Sequence, residues 1–160
     1  MIIDDTDRMI LQMLQEDARI ANAEIARHVG LAPSAIFQRI RKMEELGVIE
    51  GYSARLSPAA LGYGLTAFVM IQTREGARAA EVTRDLAAIQ EVIEVHRVVG
   101  EDCFFLKVRV RDPRALEALL DEKIQPISSV SSTRTTIVLS TGKETGAIPM
   151  EAPVSSADAA

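Results

Sequence analysis

The stretch GLAPSAIFQRIRKM, residues 30–43, decides the fold of the N-terminal part of the chain. Its basic side chains are Arg39, Arg41 and Lys42. They stand out because the chain as a whole is acidic, with 18 Lys and Arg against 23 Asp and Glu and a net charge of -5. Pro33 suits the first position of a helix, and Gly47 suits the position just after a helix end. The stretch therefore predicts a short basic helix over 33–46.

Two more helices are predicted upstream, over 5–16 and 22–29, from apolar residues that recur with helical spacing. Gly30 ends the second of them, and the connection VGLA leads directly into the basic helix. Two short helices joined by such a tight connection are typical of a helix-turn-helix. We therefore predict a DNA-binding domain of this type over residues 1–50.

The basic helix is predicted to be amphipathic. Ile36, Ile40 and Met43 share the side that would pack on the other two helices. Arg can bind guanine with two hydrogen bonds, Gln can pair with adenine, and Lys or Ser can hold phosphate. We therefore predict double-stranded operator DNA as a partner, although a merely solvated basic face is the alternative. The predicted DNA-binding residues are Ser34, Gln38, Arg39, Arg41 and Lys42.

The remainder of the chain predicts an α+β fold, in which a winged helix-turn-helix precedes a ferredoxin-like βαββαβ domain. Residues 51–64 are predicted to be a linker strand, residues 65–149 the ferredoxin-like domain, and residues 150–160 a mobile tail. The predicted elements are a strand over 65–73, a helix over 76–89, strands over 92–99 and 103–110, a helix over 113–124 and a strand over 130–140.

The strand over 65–73 is apolar on both of its faces, LTAFVMIQT. Two helices can cover only one face of a four-stranded sheet, so the other face needs a different cover. We therefore predict a homo-oligomer that is at least a dimer.

Several other classes of protein are disfavoured. The single cysteine, Cys103, cannot form an intrachain disulfide. A membrane helix needs about 18 consecutive apolar residues, and no stretch approaches that length. We expect a cytoplasmic protein with no membrane partner.

Cys103 and His96 could form a catalytic pair if they were adjacent, but two phenylalanines follow the cysteine and favour a half-buried structural thiol. We predict no catalytic residue, no metal site and no cofactor.

Over residues 1–149 the chain resembles the Lrp/AsnC family of bacterial and archaeal regulators, the leucine-responsive or feast/famine proteins. Residues 7–52, DRMILQMLQEDARIANAEIARHVGLAPSAIFQRIRKMEELGVIEGY, are similar to its helix-turn-helix, and GEDCFFLKVRV and STRTTIVLS are similar to two strands of its sensing domain. The resemblance implies a dimer through sheet packing, often assembled further into an octamer. It also implies palindromic or AT-rich DNA and a small effector, usually an amino acid.

An amino-acid effector needs an acceptor for its ammonium and donors for its carboxylate. The predicted effector-binding residues are Gly100, Glu101, Asp102, Thr133 and Thr135. The alternative is that they are only good turn and strand residues. The chain also departs from the family, which often has Ser where Ala32 and Ala21 precede helices, and Gly-Asp-x-Asp where this hairpin reads GEDC.

Two other functions share this architecture. One is an enzyme similar to the sirohaem decarboxylases, which would need a tetrapyrrole pocket with basic and His side chains. The chain has only two His, and an enzyme would not need the basic face of the helix over 33–46. The other is a metabolite-binding module without a DNA function. We predict an effector-controlled transcriptional regulator and not an enzyme.

Overall fold

Two reciprocal hydrogen bonds cap the start of the first helix. In this computed structural model, which describes residues 3–100 and 103–150, Asp7 N donates to Asp4 Oδ1 at 2.7 Å and Asp4 N donates to Asp7 Oδ2 at 3.3 Å. This reciprocal pair satisfies backbone donors that a helix start leaves open. It opens α1 (Asp5–Glu16), which is followed by α2 (Asn22–Val29) and α3 (Pro33–Glu45). The three predicted helices are confirmed.

The connection between α2 and α3 turns at Gly30, whose backbone is left-handed with φ of 76°. Glycine adopts this conformation without the steric cost of a Cβ atom. Neither Ala21 nor Ala32, the residues that precede α2 and α3, forms a side-chain cap. Both helices therefore start without a side-chain cap, and packing must stabilise them. The shared core of α1, α2 and α3 consists of Ile10, Leu11, Ile25, Ala26, Ile36, Ile40 and Met43.

A segment near the C-terminus completes this unit, which comprises residues 3–55 and 144–150 of the described chain. Gln15 Nε2 donates to the carbonyl of Ile148 at 3.1 Å, and Ile148 N donates to Gln15 Oε1 at 2.7 Å. Met150 packs against the helical core. Residues 144–149 were predicted within the ferredoxin-like domain, but these contacts belong to the N-terminal unit. The rest of the predicted tail, 151–160, lies outside the described residues.

The second unit spans 56–143 and contains the predicted βαββαβ order. Its antiparallel sheet has the strand order β2-β3-β1-β4. The elements are β1 (Leu65–Thr73), α4 (Ala79–Ala87), β2 (Val92–Arg97), β3 (Phe104–Val110), α5 (Pro113–Ala118), a π-helical segment (Leu119–Ile124) and β4 (Val130–Ile137). The linker strand predicted over 51–64 is not formed. Residues 51–57 are irregular and pair with no strand among the described residues, and a short 3₁₀ helix follows at Ala59–Leu61.

The sheet has two different faces. Alternate residues of β1, such as Val69 and Ile71, are fully buried with α4 and the helical segments after β3. The opposite face carries half-buried Phe68, Met70 and Phe105, with the two phenylalanine rings 5.1 Å apart. We call this opposite face the open face. No helix within residues 3–100 and 103–150 is long and apolar enough to cross a membrane.

Candidate DNA-reading surface and effector cavity

The amphipathic character predicted for α3 is present. Ile36 and Met43 are fully buried and Ile40 nearly so. On the remaining surface of the helix, four of the five predicted DNA-binding side chains are exposed: Ser34, Gln38, Arg41 and Lys42. The helix therefore presents hydrogen-bonding and cationic groups on the side away from its core, which is the arrangement needed for insertion into a major groove.

Arg39, the fifth predicted DNA-binding residue, is engaged within the protein. One of its terminal nitrogens, Nη1, lies 2.8 Å from Asp4 Oδ2 and 2.7 Å from Asp7 Oδ1. The Asp7 side chain is only 6% exposed, whereas that of Arg39 is 35% exposed. We call this set of three residues the clamp. It ties the middle of α3 to the start of α1.

The clamp shifts the titration of its members. The pKa of the Asp4 carboxyl lies below its usual value because it accepts the Asp7 backbone N–H and, second, a hydrogen bond from Arg39. The pKa of the Arg39 guanidinium is raised further above its usual range by its bonds to Asp4 and Asp7. The stability that Asp4 contributes is therefore present at neutral pH and is lost as the pH falls through its lowered folded-state pKa.

Arg41 has a weaker engagement. Its Nε lies 3.0 Å from Glu45 Oε1, and both side chains are more than 60% exposed, at 61% and 63%. Exposed pairs of this kind contribute about 0.5 kcal/mol or less, because water screens them. Arg41 can therefore exchange Glu45 for a nucleic-acid group at little cost.

An apolar groove borders α3. Phe37, 50% exposed, and Tyr52, 51% exposed, line a cavity of about 440 Å³ together with Leu14 and Ile40. Tyr52 Oη donates to Glu44 Oε1 at 2.9 Å. Burial first, and then this contact with the Glu44 carboxylate, raise the pKa of Tyr52 to about 12.

The connection between β2 and β3 borders a cavity of about 300 Å³ in the C-terminal unit, which we call the hairpin cavity. Backbone bonds fix its edge, from Val98 N to the carbonyl of Cys103 at 3.0 Å and from Cys103 N to the carbonyl of Ile71 at 2.8 Å. Gly100 has a φ of 147° that disfavours other residues. Its lining includes Thr73, Ala79, Val82, Arg97, Gly100 and Cys103.

The structure brings only part of the predicted effector-binding set together. Gly100 lines the hairpin cavity, and Glu101 and Asp102 lie outside the described residues. Thr133 and Thr135 pair with Ile71 and Val69 across β1, and neither lines this cavity.

Sequence reasoning missed Thr73 and Arg97, both of which line this cavity. No signal in the sequence indicated either residue, because the pairing of Arg97 with Phe104 is seen only in the folded sheet.

The cavity combines one cationic group with a largely apolar wall. The Arg97 guanidinium can bind a carboxylate with two hydrogen bonds. The wall of Ala79, Val82 and Phe104 suits an apolar group. The described residues contain no group of three His, Cys, Asp or Glu side chains that could hold a metal ion.

The chain matches two family models, a winged helix-turn-helix DNA-binding domain over residues 3–50 and an Lrp/AsnC ligand-binding domain over residues 66–148. It is 38% identical over 149 residues to the HTH-type transcriptional regulator FL11 of Pyrococcus abyssi, covering 93% of this chain and 97% of that protein. Escherichia coli AsnC has a similar structure, with a TM-score of 0.85, 35% identity, and coverage of 90% and 97%. A feast or famine regulatory protein (Rv3291c) from Mycobacterium tuberculosis, complexed with L-methionine, has a TM-score of 0.86, 37% identity, and coverage of 94% and 100%.

Replacing Arg39 by Met should lower the free energy of unfolding of the N-terminal unit by about 2 kcal/mol. Breaking a fully buried ion pair costs about 3–5 kcal/mol, and the expected loss is smaller here because Arg39 is partly exposed. Urea unfolding followed by circular dichroism measures it. Arg41→Met is the matched control on the same helix and should change stability by less than about 0.5 kcal/mol. Equal losses from both variants would contradict the clamp.

Proposed function

This chain belongs to the Lrp/AsnC family of transcriptional regulators, and from that premise we propose that α3 reads operator DNA while the hairpin cavity binds an amino-acid effector. The observation that carries the proposal is the division of α3 into a buried apolar side and an exposed side with Ser34, Gln38, Arg41 and Lys42. Such a regulator acts on DNA in the cytoplasm.

The exposed side chains have different roles in this proposal. Gln38 and Arg41 contact base edges, since an amide suits adenine and a guanidinium suits guanine. Lys42 and Ser34 hold phosphate groups and set the register of the helix in the groove. Arg39 acts as a positioning residue, because its guanidinium already donates to two carboxylates. Leaving the clamp to reach a phosphate would strand the buried carboxylate of Asp7.

The effector proposed for the hairpin cavity is an amino acid with an apolar side chain. Arg97 binds its carboxylate, and the wall of Ala79 and Val82 receives its side chain. The complex of a relative with L-methionine supports this class of ligand. The backbone at Gly100 lets the chain approach the ligand closely. Thr133 and Thr135 are not assigned to this contact, because they line a different part of the sheet.

The open face of the sheet is proposed as the dimer interface. Phe68, Met70 and Phe105 form an apolar patch there that burial in a second copy would remove from water. Further assembly into an octamer is an expectation that comes from the family.

Enzymatic function has less support than regulation. The relatives are named as transcriptional regulators. His96 lies opposite Phe105 in the sheet, and its Nε2 is 3.3 Å from Glu94 Oε2. A nucleophilic cysteine needs a base in hydrogen-bond contact, and the strand register does not pair His96 with Cys103.

Lys42→Ala should weaken binding to the DNA upstream of the chain's own gene and reduce the slope of log K against log salt by about 0.9, because one phosphate contact is lost. Gln38→Ala should leave that slope unchanged and reduce the preference for this DNA over a scrambled duplex by about 1–3 kcal/mol. Fluorescence anisotropy at several salt concentrations measures both quantities.

Arg78→Ala is the control for those two variants, since it removes an exposed cation from the C-terminal unit. It should alter neither the slope nor the preference. A slope of log K against log salt that is the same in the Lys42→Ala protein as in the wild type would count against insertion of α3 into the groove.

Ala79→Leu should raise the L-methionine concentration needed to change DNA affinity by at least about tenfold, because the larger side chain fills the hairpin cavity. Ala80→Leu changes the neighbouring exposed position and should leave the response intact. The measurement is a gel shift with increasing L-methionine. An unaltered response in the Ala79→Leu protein would rule out this cavity.

Phe105→Lys should convert the assembly to smaller species, since it places an unpaired charge in the open face. Light scattering at micromolar concentration gives the mass. Thr83→Lys, on an exposed position of α4, should leave the mass of the wild-type assembly unchanged. A monomeric wild-type protein would contradict the proposed interface.

A further inference from the structure

An acidic residue lies on the polar side of α3. Helical spacing places Glu45, the last residue of the helix, on the same side as Ser34, Gln38 and Arg41. Its side chain is 63% exposed. A carboxylate on this side repels the phosphates of a duplex and lowers the affinity that the cations provide. Affinity for phosphate therefore does not explain this side chain.

The stability of α3 does not explain Glu45 either. The carbonyl end of a helix carries a partial negative charge, which disfavours a carboxylate in the last turn. Ion pairs four residues apart are also weaker when the cation precedes the acid, which is the order of Arg41 and Glu45. Glu44, the other acid of this turn, has a different partner, because its Oε1 accepts from Tyr52 Oη at 2.9 Å. The contact with Arg41 therefore distinguishes Glu45 from its neighbour.

The contact between Glu45 and Arg41 involves one edge of the guanidinium. Among the described residues, Arg41 Nε donates to Glu45 Oε1 at 3.0 Å. A guanidinium carries four more N–H donors, on Nη1 and Nη2, and two parallel donors match O6 and N7 of guanine. The bond at Nε limits rotation of the guanidinium about the end of its side chain. In a groove that excludes water, this bond becomes stronger than it is in the free protein.

We propose that Glu45 is a positioning residue for the recognition of guanine by Arg41. The inference rests on the proposed function, in which Arg41 contacts base edges. On DNA, Glu45 keeps its bond to Nε, and Nη1 and Nη2 donate to O6 and N7 of one guanine. In the alternative arrangement Arg41 leaves Glu45 and binds a phosphate, which carries no sequence information. Glu45 therefore lowers the affinity for DNA in general and raises the preference for that guanine.

Fluorescence anisotropy with the full chain tests this role on the shortest duplex from upstream of its own gene that the wild type binds. Each G·C pair is replaced by A·T in turn, and the preference is the ratio of the two dissociation constants. Arg41→Ala identifies the guanine that Arg41 reads, because the preference there should fall by about fivefold or more. Glu45→Ala should reduce the preference at the same guanine by about threefold or more. It should also raise the affinity for a scrambled duplex, because it removes a negative charge.

Two variants separate the hydrogen bond of Glu45 from its charge. Glu45→Gln removes the charge but retains an oxygen that can accept from Arg41 Nε, so its preference should stay within about twofold of the wild type. Glu44→Gln removes a charge at the neighbouring position, where the partner is Tyr52, and should also keep the preference. An equal loss of preference in Glu45→Gln and Glu45→Ala would show that only charge acts and would overturn the positioning role.

Two further outcomes separate the role of Glu45 from the proposed function. Wild-type preference in the Glu45→Ala protein, at the guanine that Arg41→Ala identifies, would overturn the positioning role and leave the proposed function intact. If Arg41→Ala changes the preference at no G·C pair, the base contact of Arg41 in the proposed function fails, and the role of Glu45 fails with it. Thermal unfolding checks that each variant folds, which the exposure of Arg41, Glu44 and Glu45 predicts.

Discussion

The contact of Arg39 with Asp4 and Asp7 is the interaction on which the DNA-reading surface depends. A helix that reads DNA must keep its polar side outward while its apolar side packs on its neighbours. The helical core of Ile10, Ile25 and Ile36 fixes the depth of packing, but it can tolerate rotation of a helix about its axis. The two short ion pairs from Arg39 to Asp4 and Asp7, at the start of α1, limit that rotation.

The same carboxylates perform two tasks. Asp4 and Asp7 exchange hydrogen bonds with each other's backbone to start α1, and both accept from Arg39. The start of α1 and the orientation of α3 are therefore coupled. This coupling offsets the missing side-chain cap at Ala32, since α3 gains no stability from a side-chain cap at its own start. Two acids of an acidic chain, Asp4 and Asp7, therefore hold its cationic helix in place.

Sequence periodicity predicted the helices and the βαββαβ order well, because both depend on local spacing of apolar residues. It placed Arg39 among the DNA contacts because helical geometry alone puts this residue on the flank of the polar side. Its partners lie 35 and 32 positions away in the chain, which no periodicity reveals. The return of Ile148 to Gln15 was missed for the same reason, since the two residues are 133 positions apart. Of the predicted effector-binding residues that the structure describes, Gly100 lines the hairpin cavity, whereas Thr73 and Arg97 join it only through folding.

Nuclear magnetic resonance of side-chain nitrogen signals during titration with operator DNA tests the central claim most directly, because it observes each group of α3 separately. The clamp account predicts that the signals of Gln38, Arg41 and Lys42 shift as DNA is added, while those of Arg39 stay where they are in the free protein. Movement of the Arg39 signals together with those of Gln38 would show that the clamp opens onto the DNA and would contradict the account.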